Sequence, residues 1–383
     1  MRRLLAALLL FTGAGLAQIE ARFVVHEHLL EDGEVKTYIG TLTREVESEE
    51  ELLSWVRKLV RPPKDARFVY SKERGWYAVE KVGYRVDEEA LLSAFREAKR
   101  KGKRAFYVPV EVIEPERGVH WLAERGIREL VAEGVTDFRG SSKNRVHNLR
   151  LAAKRLDGLI IPRGAVFSFN RALGPVSEEA GYKEGLVILG DRTEKGVGGG
   201  VCQVSSTVFR AAFFAGLPIV ERHPHSYLLR YYQPPGLDAT VYAPWVDLKF
   251  ENDTPGDLLL RTYVRGTKLI VRLFGTKDRE TSWEGPIYLE RTPPLPPREI
   301  PDPTLPPGTR KQVDWAAPGA KVKVLRTVRY PDGRVKKETF YSRYRPWGAV
   351  YLVGPKPQTS EDAPRAPASE ARAPAPKASP ANP

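Results

Sequence analysis

A single cysteine, Cys202, stands among the 383 residues of this chain, and that sets the first limit on its fold. No intramolecular disulfide can staple it, and no multi-cysteine zinc or iron–sulfur site can nucleate it. Its order must come from buried apolar surface, and its length is enough for two or three domains with a sizeable core. A formal net charge of +13 favours anionic surroundings: nucleic acid, an envelope polymer or a membrane surface.

The N-terminus chooses among these. Met1-Arg2-Arg3 is a short positive start, Leu4 to Phe11 is an apolar run, and Gly15-Leu16-Ala17 offers the small residues that a signal peptidase reads. Residues 1–17 are therefore expected to be a secretory signal cleaved before Gln18. Its two arginines leave with it, taking the charge from +13 to +11. No cysteine lies near the cleavage point to carry a lipid, and no later run reaches the roughly 18 apolar residues of a membrane span. The expected location is the cell envelope or beyond it, which makes nucleic acid an improbable partner and the cell wall a natural one.

The mature chain reads as a secreted, multidomain α+β protein. Over 18–117, Arg22–Leu30 and Glu34–Leu42 flank the turn Glu31-Asp32-Gly33. Ser48-Glu49-Glu50-Glu51 is a capping box, ahead of Leu52, Val56, Leu59 and Val60 at helical spacing. Asp87 caps a second helix with Leu91, Leu92 and Phe95 inward, and Val108, Val110 and Val112 alternate as in a strand. His26, His28 and His120 show no partner pattern. Residues 118–278 hold the chemistry in a mixed helix and strand pattern. Thr292 to Gly308 contains eight prolines, so 279–310 reads as a stiff linker. Residues 311–354 read as a small β module, with Lys321–Tyr330 and Arg334–Tyr344 paired across Pro331-Asp332-Gly333. From Pro355 to Pro383 the composition is that of a disordered tail.

In the central region, Gly198-Gly199-Gly200 feeds a helix-compatible run from Val201 to Gly216. Cys202 falls in its first turn, where orphan N–H groups and the positive dipole end favour a thiolate. Glycines also let backbone N–H groups approach a developing oxyanion. The bland alternative is a buried helix cysteine behind a loop that merely needs glycine. Ile219 to Tyr227 supplies His223 and His225 as bases, while Asp238 and Asp247 supply carboxylates to orient an imidazole. The two histidines lack a third ligand at any familiar spacing, so no metal is expected. Upstream, Asn144, Arg145 and Asn148 open a helix whose Leu149, Ala152, Ala153 and Leu156 share a face, with Gly158 beyond its end. They suit either a peptide carboxylate or sugar, or plain helix capping.

These segments together resemble the VanW domain. The resemblance rests on Asn144-Arg145 with His147-Asn148-Leu149, on Pro162-Arg163-Gly164 before Phe167-Ser168-Phe169-Asn170, and on Gly174-Pro175 and Gly181-Tyr182. It continues through Gly198 to Thr207, Ala215-Gly216-Leu217, Glu221-Arg222-His223 with His225-Ser226, Asp238-Ala239-Thr240-Val241 and Asp247-Leu248-Lys249-Phe250. The preceding segment, with Gly83-Tyr84-Arg85-Val86-Asp87, is similar to a YoaR-like peptidoglycan-binding module. The resemblance implies a peptidoglycan-remodelling cysteine L,D-transpeptidase without cofactor. Cys202 is then the nucleophile, His225 or His223 the base and Asp238 its orienting group. Asn144, Arg145, Asn148, Gly199, Gly200, Gln203, Ser205 and Ser206 are the expected substrate-binding residues. Stem peptides and glycan are the expected partners, and anionic envelope polymers suit the charge. A non-catalytic wall-binding scaffold and a cysteine peptidase or amidase are the rival readings.

Overall fold

The computed structural model of the protein describes residues 18–189 and 192–356; the expected signal segment and nearly all of the expected tail lie outside them. At its N-terminal end, strands Ile19–Glu31 and Glu34–Val46 pair antiparallel, from Ile19 opposite Val46 to Glu31 opposite Glu34. The turn residues Asp32 and Gly33 have φ of +53° and +77°, the left-handed pair that a tight hairpin requires. Strands Lys64–Ser71 and Gly75–Lys81 extend the sheet. Helix α1 (Glu49–Arg57) is capped by Ser48, whose Oγ accepts from the Glu51 N–H at 3.2 Å. Helix α2 (Glu88–Arg100) is capped by Asp87 through the Ala90 N–H at 2.8 Å. Their apolar stripes meet in one core, with Leu52, Val56, Leu91 and Phe95 against Phe23. The strand expected over Val108 to Val112 is interrupted: Pro109 has no N–H for a ladder, and two short strands, Ala105–Tyr107 and Val110–Ile113, stand on either side.

Helix α3 (Val119–Glu124) leads into the central sheet, whose order is Glu129–Asp137, Lys268–Gly275, Leu258–Arg265, Leu159–Ile161, antiparallel throughout. Helices α4 (Lys143–Leu156), α5 (Phe169–Leu173) and α6 (Val201–Phe214) complete this part. In α4, Leu149, Ala152, Ala153 and Leu156 are buried as their spacing predicts. Helix α6 is buried on nearly every side. Gly134 makes that possible: a Cβ there would lie 2.2 Å from the Thr207 carbonyl oxygen, so only glycine lets strand and helix backbones come this close. A further cluster, in which Phe68 stacks on Phe274 at 4.1 Å, joins the N-terminal sheet to the central one.

The segment 279–310 departs from the expected linker. Residues Glu280–Thr292 form a long strand paired with Gly319–Arg329, which pairs in turn with Val335–Tyr344 across the expected Pro331-Asp332-Gly333 turn. Strand Arg298–Pro301 lies at the edge of a second small sheet, against Val350–Val353, where its proline needs no donor. These C-terminal sheets do not hang free. The guanidinium of Arg326, which has no solvent exposure, donates to the Phe213 and Leu217 carbonyls at 3.0 and 2.9 Å and pairs with Glu338. A cation thereby caps the C-terminal end of α6 from another part of the chain.

Candidate active site

The loop before α6 is built for a close approach. Gly200 is the N-cap residue with φ of +111°, and a Cβ on it would lie 2.8 Å from the Arg145 carbonyl oxygen. Gly198 is also left-handed at +94°. The first turn of α6 therefore presents Cys202 beside Thr240 and Val241: its Sγ lies 3.6 Å from Thr240 Oγ1 and donates to the Val241 carbonyl at 3.5 Å. The thiol is partly exposed, whereas its neighbours along α6 are buried.

His225 is the imidazole that the fold brings to this thiol. It is buried, and its ring lies flat against Tyr232 with centroids 4.1 Å apart. Nδ1 is 2.6 Å from Asp238 Oδ2, which also accepts the His225 backbone N–H at 2.8 Å. Nε2 makes no hydrogen bond of ordinary geometry, and the thiol is near enough that each group favours the other's charged form. Asp238 is fully saturated on its other oxygen. Oδ1 accepts from the Tyr344 hydroxyl at 2.5 Å and from Arg222 Nη2 at 3.2 Å. Thiol, imidazole and carboxylate thus stand in the order that a cysteine nucleophile needs.

The electrostatics follow from these contacts. Burial pushes the Cys202 thiol up, and the neighbouring His225 more than offsets it, so the net movement is down. Burial likewise works against a charged His225, yet the hydrogen bonds to Asp238 and Cys202 raise its pKa to about 9. Asp238 is held far below the ordinary carboxylate range: burial alone would raise it, but the donors from His225 and the Arg222 charge prevail. At neutral pH His225 is an imidazolium and Asp238 a carboxylate, and the imidazolium charge draws the Cys202 thiol toward its ionised form.

The other expected site residues fall into distinct positions. His223 is half exposed, with Nε2 3.3 Å from Glu221 Oε1, and stands apart from the Asp238 carboxylate. Asp247 accepts from the Ser168 hydroxyl at 2.6 Å and the Asn170 N–H at 2.9 Å, away from the imidazole. Asn148, expected as a substrate contact, is fully buried; its side chain bonds the Lys183 and Gly199 carbonyls at 2.8 and 3.1 Å, fixing the glycine loop. Gln203, Ser205 and Ser206 are also fully buried. Ser205 and Ser206 both bond the Ala239 carbonyl, at 2.6 and 3.1 Å, and Gln203 bonds Thr136 at 3.1 Å. These four are tied into the site's scaffold by their hydrogen bonds, with Gln203 Oε1 alone among their buried side-chain atoms left without a partner. Asn144 bonds the Glu184 carbonyl at 3.0 Å, and the Arg145 guanidinium lies 4.0 Å over the Tyr231 ring. Gly199 and Gly200 remain at the mouth of α6.

Two features escaped the sequence. One is Tyr344, which lies 106 residues after its partner Asp238, and its hydroxyl also accepts the Gly236 N–H at 2.7 Å. The other is an exposed aromatic pair directly after Val241, Tyr242 and Trp245, stacked at 5.8 Å with Trp245 74% exposed. A large, bare tryptophan was the signal available for it.

A family model described as VanW-like protein matches residues 144–274, the segment that holds Cys202, His225 and Asp238. The uncharacterised protein YoaR of Bacillus subtilis is 34% identical over 221 residues, 57% of this chain and 71% of that one. The vancomycin B-type resistance protein VanW of Enterococcus faecalis is 32% identical over 148 residues, 37% of this chain and 53% of that protein. Among solved structures, the IgA1 protease G5 domain aligns with 21% of the chain and 94% of its own length, at 20% identity and a TM-score of 0.14. With this matched segment and a relative covered over most of its length, the chain belongs to the VanW family.

Proposed function

We propose that this protein is a cell-wall acyltransferase, a cysteine L,D-transpeptidase that joins peptidoglycan stem peptides through a thioester. The observation that carries the reading is the buried relay Asp238–His225 leading to the Cys202 thiol. The Cys202 thiolate adds to the carbonyl carbon of the third stem residue. The tetrahedral adduct collapses to a thioester as the imidazolium of His225 gives its proton to the departing amine of the terminal D-amino acid. The amine of a second stem then adds to the thioester, neutral His225 takes the proton, and the thiolate leaves. One amide bond replaces another, so no energy source is needed. Asp238 holds the ring orientation through both steps, and the glycine-rich mouth of α6 gives the oxyanion room near backbone donors.

Two further features support a polymeric wall substrate. The exposed Tyr242–Trp245 pair, which follows directly on the thiol's neighbour Val241 in the chain, is suited to the apolar face of a sugar or an extended peptide. A relative whose name associates it with vancomycin resistance fits a role at the wall, as does the export expected from the basic and apolar N-terminal pattern.

The test is to incubate the mature chain, and its Cys202→Ala variant, with purified tetrapeptide-bearing muropeptides and to follow intact protein mass and products. The expected result is an acylated protein, release of the terminal D-amino acid and dimeric muropeptides, all absent in the variant. D-amino acid release without dimers assigns a hydrolase instead. An unmodified protein that still retains muropeptides on a column assigns a binding scaffold, and both outcomes overturn the transpeptidase reading.

A further inference from the structure

Three of the histidines that showed no pattern in the sequence come together in space, far from Cys202 in the chain. His26 and His28 alternate on strand Ile19–Glu31 and so project from the same face. Their rings meet edge to face at 6.0 Å, and the His28 ring meets that of His120 at 5.6 Å. Glu114, just past strand Val110–Ile113, reaches the same place. One ligand atom each from His26, His28 and Glu114 lies within 4.8 Å of the others.

His28 is the informative member. It is buried, with 6% exposure. Its Nδ1 is fixed by Thr37 Oγ1 at 2.9 Å, on the paired strand. Its Nε2 has no hydrogen-bond partner, although Glu114 Oε1 is only 3.3 Å away. Two polar atoms at that separation without hydrogen-bond alignment behave like neighbouring ligands of one ion. Bonds of about 2.0–2.2 Å to a tetrahedral zinc place adjacent donors roughly 3.4 Å apart. A ring held by an outer hydrogen bond on one nitrogen, with the other free, is the usual state of a metal-binding histidine. Close by, Glu80 accepts the Val119 N–H at 2.6 Å through Oε2, while its buried Oε1 is also unpartnered. Glu80 is outside the group of three ligand atoms, and its unpartnered buried oxygen adds negative character beside a site suited to a cation.

We propose that His26, His28 and Glu114 bind one zinc ion, pinning the first strand to the connection that leads through α3 into the central sheet. Two imidazoles and one carboxylate are a donor set suited to zinc, with a fourth position left for water or for a neighbouring group. Strand 19–31 and the segment after 113 come from opposite ends of the N-terminal part, so the ion closes a long loop where that part joins the rest of the molecule. Its role is to stiffen this junction, separate from the chemistry at Cys202.

The experiment uses the mature full-length chain without a histidine tag, stripped with chelator and titrated with zinc chloride against a chromophoric competitor. The expected result is one zinc per chain, with a matching rise in the thermal midpoint. Cys202→Ala should bind as wild type. His26→Asn and Glu114→Gln, both at partly or fully exposed positions, should each weaken binding at least tenfold and lose the thermal shift, while the metal-free midpoint stays near that of the wild type. Three results overturn the proposal: no stoichiometric zinc, undiminished binding in the His26→Asn/Glu114→Gln double variant, or binding lost in Cys202→Ala, which places the ion at the thiol.

Discussion

The charge state of Cys202 rests on one buried carboxylate with every oxygen occupied. Two donors from His225 and one each from Tyr344 and Arg222 meet on Asp238, so its negative charge persists well below the pH at which carboxylates ordinarily protonate. That charge lets a buried imidazole hold its proton up to about pH 9, and the imidazolium in turn lowers the thiol. Iodoacetamide labelling of the single thiol should therefore be fast at pH 6–7. Removing the imidazole by His225→Asn leaves burial opposed only by the Val241 and Thr240 contacts, so the thiol moves up and labelling at pH 6 should fall by more than tenfold. The sign for turnover is opposite at high pH: the leaving amine needs the His225 proton, so transpeptidation should decline as pH rises through about 9. A rate that keeps climbing beyond pH 10 would show that His225 is not the acid. Asp238→Asn should lower stability by about 3–5 kcal/mol in denaturant titration, because Arg222 and His225 would be left buried without their counter-charge.

At the level of elements, the local signals were the legible ones. The Asp32-Gly33 and Asp332-Gly333 turns, the Ser48 and Asp87 caps and the glycine loop feeding α6 are each decided by a few adjacent residues, and the structure has all of them. The pairing of His225 with Asp238 was also within reach, since 13 residues separate them. Asn148, Gln203, Ser205 and Ser206 were readable as important but not as buried, because a polar side chain that bonds backbone looks in sequence like one that bonds a ligand. Proline density concealed the strand Glu280–Thr292 and its edge neighbour, since a proline at a sheet edge breaks no ladder bond. The glycine loop gives a direct measure of element strain. Gly200→Ala puts a Cβ at φ of +111° and 2.8 Å from the Arg145 carbonyl oxygen. It should lower the denaturation midpoint by the equivalent of about 1–2 kcal/mol or more with an unchanged slope.

Across the whole molecule, the site belongs to two distant stretches of chain. Arg222 bonds the Ser342 hydroxyl at 2.9 Å, Tyr227 stacks on Trp347 at 4.5 Å, and Tyr344 reaches Asp238. No local sequence pattern carries such a contact, which is why residues 311–354 read as a separate β module. Tyr344→Phe removes the hydroxyl that both donates to Asp238 and accepts from Gly236. It should reduce stability by about 1–3 kcal/mol and lower pH 6 labelling, though less than Asp238→Asn does. A chain ending at residue 278 should keep Cys202 but lose its fast labelling; full reactivity in that truncated chain would separate the C-terminal sheets from the chemistry.

The position of Tyr344 also has a meaning in time. A polypeptide leaves the ribosome from its N-terminus, so the cysteine, the histidine and the aspartate all emerge before the tyrosine that steadies them. Over the 106 residues of synthesis that separate Asp238 from Tyr344, the nascent chain holds all three groups without the hydroxyl that steadies the carboxylate. In the proposed enzyme this order leaves the last support of the carboxylate to a hairpin made after every reacting group.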